Sequence, residues 1–131
     1  MNRLKTLSAH GENYKKVIFI SGGMSGYPNY NSEAFFRAAN DLAEQGYIVL
    51  NPAMLPQGLN DSKYLPIDMA MIEASDALFM LDGFEKSRGS MAELAYAIRQ
   101  GKDIYTSDGN GGMHKVIDTP SKIFENIMNN A

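Results

Sequence analysis

A chain of 131 residues, 44% hydrophobic and 21% charged, fits one compact domain with a single core and leaves no room for a second. Its formal charge of −3, mixed in sign, lacks the clustered Lys and Arg that displace counterions from phosphate backbones, which excludes a nonspecific binder of duplex DNA or RNA. The absence of cysteine excludes a disulfide framework, a thiolate zinc site and a Cys nucleophile, and no apolar run reaches the roughly 18 residues that cross a bilayer, so a cytoplasmic, unprocessed protein without membrane contact is expected.

Residues 1–15 are polar and weakly patterned, and are expected to form a loose arm on a single domain spanning residues 16–131. Val17-Ile18-Phe19-Ile20, β-branched and aromatic, predicts a buried strand that feeds a glycine-rich loop, Ser21-Gly22-Gly23-Met24-Ser25-Gly26-Tyr27-Pro28. Residues 31–45 begin on a capping Asn, carry Phe35, Ala38, Ala39 and Leu42 on one stripe, and stop at Gly46, which predicts an amphipathic helix. A second strand is expected over 47–50, closed by Asn51-Pro52. The irregular residues 53–63, with Pro56, Gly58 and Asn60, are long enough for a binding loop or lid. A helix is expected over 64–74, with Pro66 in its first turn and an apolar stripe of Ile67, Met71 and Ile72. Ala77-Leu78-Phe79-Met80-Leu81 has no polar break and predicts a third strand covered on both faces. The polar loop Lys86-Ser87-Arg88-Gly89 then enters a helix expected over 90–100, stopped by Gly101. A fourth strand over 103–106, a glycine-rich excursion over 107–113, a short strand or turn at Val116-Ile117 and a final helix over 120–129 complete the chain.

Strands alternating with helices at this spacing imply right-handed crossovers. The expected fold is α/β, a doubly wound, mainly parallel sheet of four or five strands with helices on both faces, of the Rossmann or flavodoxin-like kind. Ligands of such sheets bind outside the carboxyl ends of the strands. The loops after the first and third strands both fall there and are candidates for opposite walls of one pocket.

Each motif has a functional and a purely structural reading. The small residues Gly22, Gly23, Met24, Ser25 and Gly26, with Tyr27, let a backbone approach a ligand closely, or simply make a tight strand-to-helix turn. They match neither GxxxxGK[ST] nor GxGxxG, which disfavours a phosphate loop or an NAD site. Ser90-Met91-Ala92-Glu93 fits a capping box. A helix stripe of Met91, Leu94, Ala95 and Ile98 leaves Glu93 roughly 160° from its centre, yet in a first turn whose side chains lean toward the strand ends. There the helix dipole would favour an ionised carboxylate, as a nucleophile needs. Asp68, read as lying early in its helix, is either first-turn decoration or the second member of a carboxylate pair able to break a bond at an anomeric carbon. Asp76 and Asp82 read as turn residues. Lys86 and Arg88 meet a phosphate or merely solvate the surface, and Tyr27, Tyr30, Tyr64 and Phe84 stack on a base or belong to the core. His10 and His114 lie far apart without metal-ligand spacing.

In combination, Phe19-Ile20-Ser21-Gly22-Gly23-Met24-Ser25-Gly26, the Asp before the third strand, and Ser87-Arg88-Gly89-Ser90-Met91-Ala92-Glu93-Leu94-Ala95 resemble the nucleoside 2-deoxyribosyltransferase group. The likeness runs over residues 16–106 and is nearest to small relatives often carried by phages and prophages. It implies Glu93 as the nucleophile at C1′ of a 2′-deoxynucleoside and Asp68 as the group that handles the proton of the base. It also implies no metal or organic cofactor, a small nucleoside or nucleotide partner, and a homodimer or larger homo-oligomer. At the position of Ser87, transferases acting on free nucleosides tend to carry an acidic residue and deoxynucleoside-monophosphate N-hydrolases a Ser. The resemblance therefore implies a 5′-monophosphate held by Ser87, Arg88, Gly89 and Ser90 and by the first loop. Two departures stand out. A Tyr that orients the nucleophile in the family is Phe19 here, leaving Tyr27 or Tyr30 to replace its hydroxyl, and an Arg favoured by the hydrolases is Ser25. The missing hydroxyl keeps open a non-catalytic nucleotide-binding protein on the same fold. A phosphoribohydrolase of the cytokinin-activating type is disfavoured, because SRGSMAE lacks its double glycine.

Overall fold

The computed structural model describes residues 14–116 together with Asn129. Most of the expected arm, and all of the expected final helix except Asn129, lie outside them. The described chain runs β1 (Val17–Ser21), α1 (Ser32–Glu44), β2 (Ile48–Leu50), α2 (Asp61–Ala74), β3 (Ala77–Met80), α3 (Arg88–Arg99), β4 (Asp103–Ser107) and β5 (Met113–Val116). The sheet order is β2-β1-β3-β4-β5. Every pairing is parallel except β4 with β5, which is antiparallel. This is the expected doubly wound α/β fold, with the residues around Val116 forming its fifth strand.

Strand alternation sorts the core into two layers. Ile18 and Ile20 point to one face, where they meet Phe35 and Leu42 of α1 with Ala77 and Phe79. Phe19 points to the other, against Ile72 of α2, Leu94 and Ala97 of α3, and Leu78 and Met80. Ile18, Phe19 and Ile20 have no exposed surface, and burying each such side chain stabilises the fold by about 1.5–3 kcal/mol. The next residue on the face of Phe19 is Ser21, which therefore ends β1 pointing toward α3. Asp76, expected only as a turn residue, accepts hydrogen bonds from the Val17 amide at 2.8 Å and from the Tyr14 hydroxyl, fastening the start of β1 to that of β3.

Two helix starts and one cap differ from the sequence expectation, and the two starts move the site. Helix α2 begins at Asp61, not at residue 64, because Asn60 caps it by accepting from the Ser62 amide at 3.1 Å. Pro66 consequently lies inside the helix rather than in its first turn, where its missing N–H leaves one carbonyl unpaired along an exposed side. Helix α3 begins at Arg88, capped by Ser87, whose hydroxyl oxygen accepts from the Ser90 amide at 3.1 Å. Ahead of α1, Asn29, Tyr30 and Asn31 all adopt positive φ, so Asn31 does not cap the helix with its side chain; it donates instead to the Gly23 carbonyl at 2.9 Å. Left-handed backbone costs about 1–2 kcal/mol for a residue such as Tyr30, so this turn on the rim of the first loop is held under strain.

Gly22 is required by crowding: a Cβ there would lie 2.9 Å from Cβ and Cδ1 of Leu81, at the end of β3. Gly22→Ala is expected to force β1 and β3 apart at their carboxyl ends and to destabilise the protein by about 1–3 kcal/mol, measured by urea unfolding.

Candidate active site

β1 and β3 are neighbours whose chains leave toward opposite faces, β1 into α1 and β3 into α3, so their carboxyl ends form the crevice where open α/β sheets bind ligands. A cavity of about 460 Å³ opens there. Its walls are Gly22, Gly23, Met24, Ser25 and Tyr27 after β1, and Lys86, Ser87, Arg88, Gly89, Ser90 and Glu93 after β3. Asp61, Tyr64, Leu65 and Asp68 of α2 close the third side. The two expected loop walls thus face one another, and both carboxylates look into one space. The walls approach closely: a Cβ on Gly23 would lie 2.8 Å from the Tyr27 ring and 3.5 Å from Cβ of Ser87, and one on Gly83 would lie 3.2 Å from the Tyr27 hydroxyl. Gly26, also expected to contact a ligand, is outside the lining; its φ of +86° makes the turn that returns Tyr27 over the cleft.

Neither carboxylate occupies the helix position first assigned to it. With α3 starting at Arg88, Glu93 stands in the second turn, and Ser87, not Ser90, is the cap, so the capping-box reading fails. The buried face of α3 is Ser90, Glu93, Leu94 and Ala97, rotated from the expected apolar stripe, with Ala95 exposed. Two of its four members are polar, which is why hydrophobic periodicity pointed elsewhere. With α2 starting at Asp61, Asp68 sits mid-helix and is no first-turn decoration.

Glu93 is 8% exposed, Ser90 1% and Ser21 not at all. The Ser21 hydroxyl donates to Oε1 of Glu93 at 2.6 Å and lies 2.7 Å from the Ser90 hydroxyl. Burial pushes Glu93 up to about 8; the Ser21 hydrogen bond works against this, and neighbouring Asp68 adds to it. Burial also raises Asp68, opposed by its hydrogen bond with Glu93. Burial thus favours the protonated form of Glu93, in contrast to the ionised carboxylate expected from the helix dipole, and the charge of Asp68 acts in the same direction. Asp68 Oδ1 is buried with no hydrogen-bond partner among the described residues, an acceptor left for a ligand.

Tyr27 and Tyr30, the candidates for the hydroxyl lost at Phe19, make no hydrogen bond to Glu93; Ser21 does. Sequence reasoning placed Ser21 in the loop and assigned it no role. Strand alternation held the missed signal, a polar residue on the buried face of Phe19. Asp61 was missed because α2 was expected to start after it. Tyr64 lines the main cavity and an adjoining one of about 260 Å³ that shares Asp68 and extends to Tyr30, Pro52 and Leu59, whereas Phe84 packs on the core. Among the described residues no three His, Asp or Glu side chains are grouped to hold a metal ion, and no helix is long and apolar enough to cross a membrane.

The family model described as Domain of unknown function (DUF4406) matches residues 16–106. No curated protein matches the chain. Among solved structures, the 2-desoxiribosyltransferase from Leishmania mexicana is similar, with a TM-score of 0.57 and 21% identity over 70% of this chain. The match spans 63% of that protein's length, and at this identity it speaks for a common α/β fold.

Proposed function

We propose, on the premise that the chain belongs to the DUF4406 family, a domain whose name assigns no reaction, that its cleft breaks the N-glycosidic bond of a 2′-deoxynucleoside 5′-monophosphate. The observation that carries this reading is the polarity of one cavity. Glu93 and Asp68 lie together on its α2–α3 side, and Lys86 and Arg88 stand at the α3 N-terminus. Arg88 and Glu93 are about 7–8 Å apart along the helix axis, on the order of the distance across a deoxyribose from its anomeric carbon to its 5′-phosphate. Carboxylates suit the positive charge that develops on an oxocarbenium-like sugar, and cations with first-turn amides suit a phosphate. The Ser87 oxygen is taken by the Ser90 amide, which leaves its proton to donate to a phosphate oxygen.

In the mechanism, Glu93 as carboxylate attacks C1′ while the C1′–N bond breaks and Asp68 delivers its proton to the departing base. The product is a glycosyl ester. Water, or a second base, then attacks C1′, gives its proton to Asp68 and releases Glu93. The productive arrangement carries the proton on Asp68 and the charge on Glu93, and the positive charge developing on the sugar favours that arrangement. The fold shared with a 2-desoxiribosyltransferase supports deoxyribosyl chemistry, and Ser87 in place of an acidic residue supports the monophosphate over the free nucleoside.

The test is incubation with each deoxynucleoside monophosphate and its nucleoside, followed by chromatography for free base. Base release from a monophosphate is expected. A thermal shift without base release from any of them would instead mark a nucleotide-binding protein. Arg88→Ala is expected to raise KM for the monophosphate roughly tenfold and to leave turnover of the nucleoside unchanged, since it removes one charge-assisted contact to the phosphate alone.

A further inference from the structure

Phe19, which stands where the resemblance implies a nucleophile-orienting tyrosine, is wholly buried in the α2–α3 core layer and has no hydroxyl to offer. Two residues along β1, on the same face and nearer the strand end, Ser21 reaches the carboxylate that such a tyrosine would serve. A serine hydroxyl carries a single proton, so when Ser21 donates to Glu93 Oε1, its contact with Ser90 must run the other way, from Ser90 to Ser21. The result is a directional chain of buried residues, Ser90 to Ser21 to Glu93, ending at the cavity wall. At 2.6 Å the bond from Ser21 to Glu93 is at the short end of O–H···O contacts, and each link polarises the next.

We infer that Ser21 is a positioning residue for Glu93, and that Ser90 orients Ser21: this two-serine chain fixes Oε1, leaving Oε2 to meet Asp68 or C1′. The inference rests on the reading of Glu93 as nucleophile. It gives Ser90 a second-rank role behind Ser21 rather than a direct contact with substrate. It also supplies a hydrogen bond that opposes the upward push of burial on Glu93 where the tyrosine is missing. Packing alone does not require the pair, since two buried hydroxyls replaced by methyl groups would cost little if neither had a partner to serve.

The test compares wild type with Ser21→Ala, Ser21→Cys and Ser90→Ala. Cys retains side-chain bulk but supplies a weak donor, so it separates hydrogen bonding from cavity formation. The first readout needs no substrate: carbon NMR titration of the Glu93 carboxyl, assigned by its loss in Glu93→Gln. The other titratable groups facing this cavity are Asp68, Asp61 and Tyr64 of α2, Tyr27 after β1, and Lys86 and Arg88 before Glu93. None is altered by these substitutions. The Glu93 midpoint is expected to move further upward in Ser21→Ala and Ser21→Cys, and by a smaller step in Ser90→Ala. In turnover of a monophosphate, kcat is expected to fall roughly 10- to 100-fold in Ser21→Ala with KM little changed, and the acidic limb of the pH profile to move to higher pH. An unmoved Glu93 titration in a folded Ser21→Ala protein overturns the role of Ser21, and a loss confined to KM does the same. Wild type that releases no base from any substrate overturns the glycosidase reading instead, and the titration still decides whether Ser21 controls the carboxyl.

Discussion

Glu93→Gln is expected to reduce base release by roughly 10⁴-fold or more while the protein stays folded, because the amide cannot form the glycosyl ester. Gln is the informative replacement. It keeps an oxygen to accept from Ser21, keeps the volume, and reproduces the neutral form that burial favours for Glu93. An Ala at this position would also open a cavity among buried groups and confuse catalysis with packing. Single-turnover chromatography of the base, with intact-mass detection of a sugar ester on the wild-type chain, measures the effect. A Glu93→Gln protein that turns over at the wild-type rate removes the mechanism.

The second large effect is on stability, and its sign follows from the direction of the Glu93 shift. The folded protein holds the Glu93 proton up to about pH 8, whereas the unfolded chain releases it near the ordinary 4.5. Between these values the folded state binds the extra proton, so stability falls as pH rises. Below the lower value both states are protonated and the contribution is fully present; it is lost as pH rises through about 8. Asp68 is raised as well and acts in the same direction. The loss between pH 5 and pH 9 is expected to be on the order of a few kcal/mol. In Glu93→Gln the decline should largely flatten, making the variant the more stable protein at pH 9. Urea unfolding at the two pH values measures both. A wild-type stability that rises over this interval would mean that Glu93 ionises freely in the fold. The ion pairs of Asp103 with Lys16 and Lys115, at 3.6 and 3.4 Å, are partly exposed and contribute little to this balance.

The two effects share an origin. The Glu93 carboxyl has been taken out of water, and the fold holds its charge at a cost that protonation relieves. The Ser21 hydroxyl and the Asp68 carboxyl pull its ionisation in opposite directions. Such a balance depends on three elements meeting at one point.

Much of the fold was legible in local chemistry. The unbroken apolar run at β3 announced a strand covered on both faces, and all four of its residues are buried. Phe35 and Leu42 marked the inner face of α1. The convergence of the loops after β1 and β3 followed from the alternation of strands and helices, through the handedness of crossovers. The site was legible only in part. Asn60 and Ser87 are helix caps, but nearby polar residues offered competing starts, and choosing the later ones displaced Glu93 and Asp68 into first turns. The inner face of α3 carries Ser90 and Glu93, so a count of apolar residues selected Ala95 over Ala97.

The sequence by itself determined the order and type of the central elements, the strand edge at which the cavity opens, and the two acidic residues that line it. These depend on periods of two and 3.6 residues and on turn chemistry, which act between near neighbours in the chain. Only the tertiary structure decided that Glu93 is buried with its carboxyl pushed up, that Asp68 lines the same cavity, and that the Ser21 hydroxyl donates to Glu93. Those facts join β1, α2 and α3 across dozens of residues. Desolvation and hydrogen bonding act through space, and no local pattern encodes which distant groups will share a dry cavity.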